Sequence, residues 1–379
     1  MNKYKTWAEI DTDALRHNWR EILSRLPDVR CTPVAVVKAN AYGHGADIVA
    51  RTLYGEGCRF FAVSCVSEAA QIRALLPDAE ILILGYSMPQ DAPELCRMNI
   101  IQSVFDSEFA AACESAVADA VCRGRLPYGA RLRVHIKLDT GMNRLGFDAG
   151  DPAAAAAQIA GISRMPHLRT EGMFTHFACA DGDHGSGMSA DQLSRFIAVR
   201  DRLREQDACP PMLHVCNSAG ILHMPHACMN GVRAGIILYG MSPDGSILPE
   251  FRAVMTLKTR IAHIHTLRAG ESVSYGATFT APRDMRIATL PIGYADGWTR
   301  RFSGASVKLS CGSLAPIVGR ICMDQCMIDI GDADVHPGDP VTLFGGDDGT
   351  MIEDLARRAQ TINYEITSLI TARVPRVEI

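Results

Sequence analysis

The chain has 379 residues, of which 47% are hydrophobic and 21% charged, and its formal net charge is −4. At about 150 residues per domain, this length predicts two or three domains. The composition is typical of a globular protein. The acidic balance and the lack of a dense basic run argue against nucleic acid as a partner. No run of about 18 apolar residues occurs, so we expect no membrane span.

The cysteines and the first residues bear on the cellular compartment. The segment that opens the chain has no apolar stretch of signal-peptide length. The 13 cysteines are scattered through predicted core strands, as at Cys65, Cys216 and Cys326. Such a distribution is typical of reduced, buried thiols. We therefore expect a cytoplasmic protein.

Short apolar runs alternate with helix-compatible stretches from residue 33 to about residue 240. The eight runs are 33–38, 60–66, 80–84, 100–105, 133–139, 171–176, 212–218 and 231–239. The stretches between them include 46–57, 66–76, 107–123 and 190–205. Near-continuous apolar strands that alternate with helices indicate parallel strands buried on both faces. Eight such units predict an α/β fold, a (β/α)8 TIM barrel, with a doubly wound open sheet as the alternative.

The pattern changes at the turn residues 242–246. Beyond them, short apolar segments follow each other without intervening helices, and a helix is predicted near the end. The segments are 254–267, 286–291, 307–309, 315–321, 327–330 and 341–344, and the helix is 352–359. This spacing predicts a mainly antiparallel β domain. We expect a barrel domain over 11–242 and a second domain formed by 1–10 together with 243–379.

The strongest chemical signal is the lysine that closes the first apolar run. Lys38 is followed at once by small residues, Tyr42 and glycines. Removing an ammonium from water costs several kcal/mol, so a lysine at a strand end usually keeps its charged group in solvent. A desolvated lysine is, however, the amine that forms a Schiff base with a carbonyl compound. The residue by itself leaves both interpretations open.

The segment 35–45 resembles the cofactor-lysine signature of the alanine racemase family. Eight further segments similar to that family follow in order, at 137–146, 175–177, 217–219, 232–236, 274–276, 293–297, 322–325 and 361–365. They extend from the first predicted strand almost to the end of the chain. Lys38, Lys137, His176, Ser218 and Arg233 lie at or near the C-terminal ends of predicted barrel strands, where such barrels keep their active sites.

The resemblance implies an isomerase that uses pyridoxal 5′-phosphate (PLP) to interconvert L-alanine and D-alanine, and that supplies D-alanine for peptidoglycan. Lys38 would carry PLP as a Schiff base and serve as one of two bases, on one face of the substrate Cα. Tyr275 would serve as the base on the opposite face. The resemblance also implies a homodimer in which Tyr275 and Met323 act in the partner subunit's site.

Other site residues follow from the same resemblance. The residues expected to contact PLP are Lys38, Tyr42, Arg144, His176, Asn217, Ser218, Arg233, Gly235, Ile236 and Tyr364. Those expected near the substrate are Arg144, Tyr294, Met323 and Asp324. Lys137 matches a lysine that is carbamylated in many family members. Arg233 would face the pyridine nitrogen, to which a permanently charged guanidinium gives no proton. We hypothesise that this limits side reactions such as transamination.

Three alternative functions stay open. A serine or broad-specificity racemase differs by one substrate hydroxyl, which a small pocket rejects only weakly, and Tyr364 favours alanine. A barrel-type PLP decarboxylase would place a carboxylate where Arg233 stands. A non-catalytic PLP-binding protein would typically lack a second domain bearing Tyr275.

Two residues depart from the family pattern. Asn143 replaces a frequent glycine, and Cys216 replaces a frequent alanine.

Two groups of potential metal ligands occur in the sequence. They are 176–184 with His176, Cys179, Asp181, Asp183 and His184, and 223–228 with His223, His226 and Cys228. Neither has a recognised zinc-ligand spacing, so we expect no metal.

Overall fold

A computed structural model describes residues 3–182, 187–346 and 351–379. In chain order the strands are β1 (Thr6–Ile10), β2 (Thr32–Val36), β3 (Phe60–Val63), β4 (Glu80–Ile83), β5 (Ile101–Val104), β6 (Leu132–Asp139), β7 (Phe147–Asp148), β8 (Leu168–Phe174), β9 (Met212–His214), β10 (Gly231–Ala234), β11 (Met255–Arg260), β12 (His263–Leu267), β13 (Ser272–Val273), β14 (Phe279–Thr280), β15 (Met285–Leu290), β16 (Ser306–Leu309), β17 (Leu314–Val318), β18 (Cys326–Asp329), β19 (Pro340–Phe344) and β20 (Arg376–Glu378).

The helices are α1 (Thr12–Ser24), α2 (Lys38–Tyr42), α3 (Ala46–Gly55), α4 (Val66–Leu75), α5 (Ala92–Arg97), α6 (Ser107–Cys122), α7 (Pro152–Ile162), α8 (Met188–Glu205), α9 (Ser218–His223), α10 (Ile352–Ala359) and α11 (Asn363–Leu369). Short 3-10 turns cover Pro89–Asp91, Pro225–Ala227, Ile236–Tyr239, Tyr275–Ala277, Tyr294–Asp296 and Arg300–Phe302. In the described part of the chain, no helix is both long enough and apolar enough to span a bilayer.

Local chemistry explains where several barrel helices begin. The carboxylate of Asp106 accepts the Phe109 N–H at 2.6 Å and caps α6. Asp151 caps α7 in the same way and is followed by Pro152 at the first helical position. A side-chain acceptor satisfies N–H groups that have no partner in the first turn, and proline there loses no hydrogen bond.

The first unit is a closed barrel formed by Trp19–Ala39 and Ala50–Leu238. Its eight parallel strands follow the order β2, β3, β4, β5, β6, β8, β9 and β10. The β5–β6 pairing and the β10–β2 pairing close the ring, with Arg233 opposite Val34 in the second of these. The predicted (β/α)8 barrel is confirmed, and the open-sheet alternative is wrong because an open sheet has two unpaired edges.

Each predicted apolar run contains a barrel strand, but two runs continue beyond it. The strand β9 ends at His214, and the side chain of Asn217 then caps α9 by accepting the Gly220 N–H at 3.0 Å. Likewise β10 ends at Ala234 and a 3-10 turn follows. Apolar composition persists through these turns because their side chains are buried, so hydrophobicity alone does not mark the strand ends.

The second unit comprises Met1–Asn18, Asn40–Val49 and Tyr239–Ile379. Its nine-stranded sheet has the order β12, β15, β18, β17, β16, β19, β11, β1 and β20, and it is antiparallel except for the β1–β20 pair. The mainly antiparallel fold class is therefore confirmed. The predicted helix 352–359 coincides with α10, whereas α11 was not predicted.

One predicted strand of this unit is wrong. The segment 254–267 forms two strands, β11 and β12, which are separated at Ile261 and Ala262. The chain changes neighbours there, since β11 pairs with β1 and β19 whereas β12 pairs with β15. Apolar residues continue through the break, but their alternation shifts there from odd-numbered to even-numbered positions.

The backbone just after Lys38 is left-handed. The four residues Ala39, Asn40, Ala41 and Tyr42 all have φ between 52° and 55°. Each left-handed non-glycine residue costs about 1–2 kcal/mol, and such strain is concentrated at functional sites. The short helix α2 is therefore a turn whose geometry the surrounding structure imposes.

Hydrogen bonds of the following residues hold this turn. The main-chain oxygen of Asn40 accepts the Gly45 N–H at 2.9 Å, and its side-chain oxygen accepts the Ala46 N–H at 2.8 Å. The Nδ1 atom of His44 lies 3.1 Å from the carbonyl oxygens of both Ala41 and Tyr42. Burial lowers the pKa of His44 to about 3, so the ring is neutral and its Nδ1–H donates to these carbonyls.

Gly43 provides a direct test of this turn. Its φ is 86°, and a Cβ atom there would lie 2.0 Å from the Thr367 carbonyl oxygen. We expect Gly43→Ala to lower the free energy of unfolding by about 2–4 kcal/mol, because both backbone strain and a clash are introduced.

Gly161→Ala is the matched control, because Gly161 lies on α7 with no atom within 4 Å of the added Cβ. It should be neutral or should stabilise by about 0.5–1 kcal/mol, as alanine does in helices. Urea denaturation measures both variants. Equal effects of the two substitutions would contradict the proposed constraint.

Candidate active site

Six of the predicted residues cluster at one end of the barrel. Lys38 follows β2, Lys137 lies in β6, and Arg233 lies in β10. The electrostatic interactions of Lys38 and Lys137 include both Arg144 and Arg233. His176 joins them through its contact with Arg233, and Asn217 through its contact with His176.

Arg233 is the most firmly held of these side chains and is only 3% exposed. One terminal nitrogen donates to the carbonyl oxygen of His214 at 2.5 Å and to the Nδ1 atom of that ring at 3.0 Å. The other nitrogen donates to the carbonyl oxygens of Thr175 at 2.6 Å and Val215 at 3.1 Å, and lies 3.5 Å from Nδ1 of His176. These contacts fix the orientation of a buried cation.

Two buried histidines behind Arg233 were missed by the sequence analysis. The Nε2 atom of His214 lies 2.9 Å from Nδ1 of His135. Because a guanidinium only donates, Nδ1 of His214 must accept, and its Nε2–H therefore donates to His135. Burial lowers the pKa of His135 to about 3 and that of His214 well below its usual value, so both rings are neutral.

The absence of a side chain at one glycine leaves the space that this histidine pair occupies. A Cβ atom on Gly172 of β8 would lie 2.5 Å from the His135 ring. The available signal was a histidine inside each of two apolar runs, 133–139 and 212–218. A single histidine in a strand does not reveal its partner, which only the closed barrel supplies.

The two lysines of the cluster are partly desolvated. The pKa of Lys38 is lowered by burial and by Arg144 and Arg233, and Glu68 opposes this shift. The pKa of Lys137 is lowered to about 8 by burial, Arg144 and Arg233, against the effect of Asp139. Carbamylation of Lys137 stays a prediction, and the lowered pKa favours it because only the neutral amine attacks CO2.

Arg144 lies on a loop that the carboxylate of Asp139 organises. One oxygen of Asp139 accepts the N–H groups of Gly141 at 2.9 Å and Asn143 at 3.0 Å, and the other accepts the Arg144 N–H at 2.9 Å. Burial would raise the pKa of Asp139, but these N–H donors outweigh it and hold the pKa below its usual value. Asn143 has a φ of 55°, a left-handed conformation that asparagine tolerates, so its replacement of glycine leaves the loop intact.

Ser218 and the segment after β10 meet in the buried part of the barrel. The Ser218 side-chain oxygen accepts the Gly235 N–H at 2.9 Å. Ile236 then begins a 3-10 turn, within which the Leu238 N–H donates to the Gly235 carbonyl. The predicted residues Ser218, Gly235 and Ile236 are thus adjacent.

The predicted tyrosines of the second unit fall into two sets. Tyr42 and Tyr364 lie with their ring centroids 6.0 Å apart. Tyr239, which the sequence analysis did not single out, packs against Tyr42 at 5.1 Å. The structure therefore places the two expected phosphate contacts of this unit next to each other.

The other set surrounds Tyr275. Tyr275, Met323 and Asp324 line one shallow surface depression, in which Tyr275 is 72% and Met323 53% exposed. The guanidinium of Arg373 donates to Asp324 at 2.7 Å. Tyr294 is tied to the same loop, because its N–H donates to the Cys322 carbonyl at 3.1 Å.

The potential metal ligands give no further site. Asp183 and His184 lie outside the described residues. Within the ranges that the structure describes, no group of three or more His, Cys, Asp or Glu side chains could hold a metal ion.

These features define a class of protein, a (β/α)8 barrel with a partly desolvated lysine after its first barrel strand. Residues 10–243 match the family model described as alanine racemase, N-terminal domain, and residues 254–378 match alanine racemase, C-terminal domain. The chain belongs to the alanine racemase family.

Full-length relatives agree with this assignment. An alanine racemase of Geobacillus stearothermophilus is 42% identical over 378 residues, which cover 98% of this chain and 93% of the relative. One from Desulforamulus reducens is 40% identical over 383 residues, the whole of both chains. The solved structure of alanine racemase from Clostridium difficile 630 has a TM-score of 0.92 at 36% identity and covers 100% of this chain and 97% of that one.

The charge on Lys137 makes a testable contribution to stability. Its pKa of about 8 in the folded state lies below its ordinary value of 10.5. Below pH 8 both folded and unfolded chains hold the proton, so the full cost of burying the charge is present. That cost disappears as the pH rises toward 10.5, because only the folded chain has lost the proton.

We therefore expect Lys137→Met to be more stable than the parent by on the order of 3 kcal/mol near pH 7, and this difference to shrink between pH 8 and 10.5. Denaturation in CO2-free buffer across this range measures it. Lys308→Met, at a half-buried lysine of β16, is the control for removing a lysine outside the site. A constant difference for Lys137→Met would contradict the assignment.

Proposed function

We propose that this chain interconverts L-alanine and D-alanine with PLP as its cofactor. The observation that carries the proposal is the partly desolvated amine of Lys38 beside three other cations, Lys137, Arg144 and Arg233. PLP supplies an electron-withdrawing ring that acidifies the Cα proton of a bound amino acid.

The residues present fit this cofactor. Four cationic side chains interact at the barrel end, against two carboxylates, those of Glu68 and Asp139. The phosphate and phenolic oxygens of PLP are anionic and offset that excess. The lowered pKa of Lys38 leaves more of its amine neutral, which is the form that attacks a carbonyl carbon.

Each group of the cofactor has a candidate partner in the family pattern. The hydroxyls of Tyr42, Ser218 and Tyr364 and the backbone of Gly235 and Ile236 would hold the phosphate. Arg144 would hold the phenolic oxygen. His176 and Asn217, which contact each other, would line the ring between Arg144 and Arg233.

Arg233 would set the reaction type. Its guanidinium has no acceptor and does not give up a proton at working pH. Held by His214 and the Thr175 carbonyl, it would face the pyridine nitrogen and leave that nitrogen unprotonated. Arg233 would in this way favour return of a proton to the substrate Cα over transamination. An arginine at this position also argues against the decarboxylase alternative.

Lys38 and Tyr275 would be the two bases, one on each face of the substrate Cα. We propose that Tyr275 serves the site of a second copy of the chain. Large apolar and aromatic side chains with the exposure of Tyr275 and Met323 are typical of interface centres. The substrate carboxylate would lie near Arg144, Met323 and Asp324, with Tyr294 at the entrance.

Substrate preference and location are part of the same proposal. Tyr364 matches the residue that the family pattern associates with alanine rather than serine, so we propose alanine as the preferred substrate. The 13 cysteines are all unpaired in the structure, which fits a reducing compartment, and we propose a cytoplasmic location.

Exchange of the Cα proton with solvent tests the proposal. The enzyme with added PLP is incubated in deuterated water with L-alanine or L-serine, and chiral chromatography with mass detection follows both products. We expect D-alanine with deuterium at Cα, and much slower formation of D-serine. Comparable rates would favour a broad-specificity racemase, and bound PLP without any exchange would favour a non-catalytic binding protein.

The two bases are tested by substitution. Lys38→Ala and Tyr275→Phe should each lower the racemisation rate by roughly 10²–10⁴-fold, the usual loss when an acid–base group is removed. Tyr128→Phe is the matched control, since Tyr128 is fully exposed and outside the site, and it should leave the rate unchanged. Full activity of Tyr275→Phe would exclude it as a base.

Mixing these two inactive variants tests the contribution of a second copy. If Tyr275 acts in the partner's site, a mixed dimer of Lys38→Ala and Tyr275→Phe contains one complete site. Co-expression at equal levels should then restore about a quarter of the parent activity, because half of the dimers are mixed and each has one working site. No recovery, with mixed dimers demonstrated by mass, would place both bases on one chain.

A further inference from the structure

Two cysteines lie beside the segment proposed to bind phosphate. Cys216 stands directly before Asn217, and Cys228 directly follows the 3-10 turn Pro225–Ala227. Their sulfur atoms are 3.6 Å apart. We propose that Cys216 and Cys228 are a redox modification site, which hydrogen peroxide oxidises to a disulfide that weakens cofactor binding.

The geometry allows the bond to form with little movement. A disulfide joins sulfur atoms at about 2.05 Å, so the two must approach by roughly 1.5 Å, a shift within the range of side-chain rotation. The pair encloses α9 and the following turn, a short segment of chain. Cys216 is fully buried whereas Cys228 is half-buried, so an oxidant from solvent reaches Cys228 first.

The two thiols differ in pKa, and the difference makes Cys228 the more reactive of the two. The hydrogen bond with Cys216 lowers the pKa of Cys228, and the same interaction together with burial raises the pKa of Cys216. Thiolates react with peroxides, so Cys228 is the attacking sulfur. The protonated neighbour then resolves the product.

The reaction balances in two steps. The Cys228 thiolate attacks one oxygen of hydrogen peroxide, the O–O bond breaks, and the hydroxide that leaves takes up a proton to become water. The sulfur of Cys216 then attacks the resulting sulfenic acid, its thiol proton leaves with the hydroxyl as a second water, and the S–S bond forms. Two thiols are oxidised and one peroxide is reduced to two waters.

The site contacts explain why this bond affects the cofactor, a consequence that rests on the proposed function. The Cys216 carbonyl accepts the Arg233 N–H at 2.9 Å. The helix α9 lies directly against Cys216, since a Cβ on Gly220 would come within 3.2 Å of its sulfur. The S–S bond would draw the Cys216 sulfur away from its place against α9, and we expect even this small movement to shift the start of that helix, where Ser218 accepts the Gly235 N–H.

A third thiol, that of Cys31, could compete with Cys216 for a disulfide with Cys228. Cys31 is buried at the start of β2 and interacts electrostatically with Cys228. Burial, followed by this interaction, raises the pKa of Cys31 to about 11, which keeps it protonated. We therefore expect Cys228 to pair with Cys216 rather than with Cys31.

Peptide mapping of the full chain tests the bond itself. The protein is titrated with hydrogen peroxide, free thiols are alkylated, and digests are analysed by mass spectrometry. We expect a peptide linked through Cys216 and Cys228, which dithiothreitol reverses and which Cys216→Ala and Cys228→Ser abolish. Two results would overturn the proposal. Cys228 could still be alkylated after the exposed Cys122 has been oxidised, or a disulfide could join Cys228 to Cys31.

Equilibrium binding of PLP to the reduced and oxidised proteins tests the consequence. We expect the oxidised parent to bind PLP at least tenfold more weakly, with recovery on reduction. Cys216→Ala, which restores the residue frequent in the family, should bind PLP equally before and after peroxide. A disulfide that leaves PLP affinity unchanged would refute the effect on the cofactor. If the reduced parent binds no PLP, the proposed function fails while the peptide map still decides whether the bond forms.

Discussion

The site is built around one costly interaction, the burial of the Arg233 guanidinium inside the barrel. A buried cation without partners would destabilise the fold by several kcal/mol, so its donors must be satisfied by fixed acceptors. The carbonyl oxygens of Thr175, His214 and Val215 come from the ends of two neighbouring strands and their following residues. The His214 ring completes the set, and its own second nitrogen is in turn fixed by His135.

This arrangement determines the electrostatics of its neighbours. Arg233 and Arg144 both lower the pKa values of Lys38 and Lys137, in each case in addition to burial. The barrel end therefore collects positive charge that two carboxylates do not balance. Such a site favours an anionic ligand and a neutral lysine amine, and both are requirements of the proposed cofactor chemistry.

Backbone strain provides the second requirement, a fixed direction for Lys38. The left-handed residues after it cannot relax, because Asn40 and His44 bond across the turn and Gly43 packs against Thr367. The positioning of the lysine therefore depends on residues that do no chemistry themselves. The cysteine pair that encloses α9 would have the same kind of influence, since a change at Cys216 is proposed to act on the phosphate contact through the helix beside it.

The fold class could be predicted from the order of residues along the chain, and so could the strand ends at which the candidate site residues lie. Parallel strands buried on both faces produce apolar runs, and eight such runs gave the barrel together with the locations of Lys38, Lys137 and Arg233. Family motifs added Tyr42, Ser218 and Tyr364. In the structure Tyr42 lies beside Tyr364, and Ser218 accepts the Gly235 N–H. These features are local, because a strand end or a turn is encoded by a few adjacent residues.

The sequence by itself therefore determined the type of fold, the family and most candidate residues. Only the tertiary structure decided which groups meet across strands. The His135–His214–Arg233 chain, the space left by Gly172, and the division of 254–267 into two strands all depend on pairings between distant segments. Distance along the chain does not specify those pairings, since closure of the barrel and exchange of strand neighbours bring the side chains together.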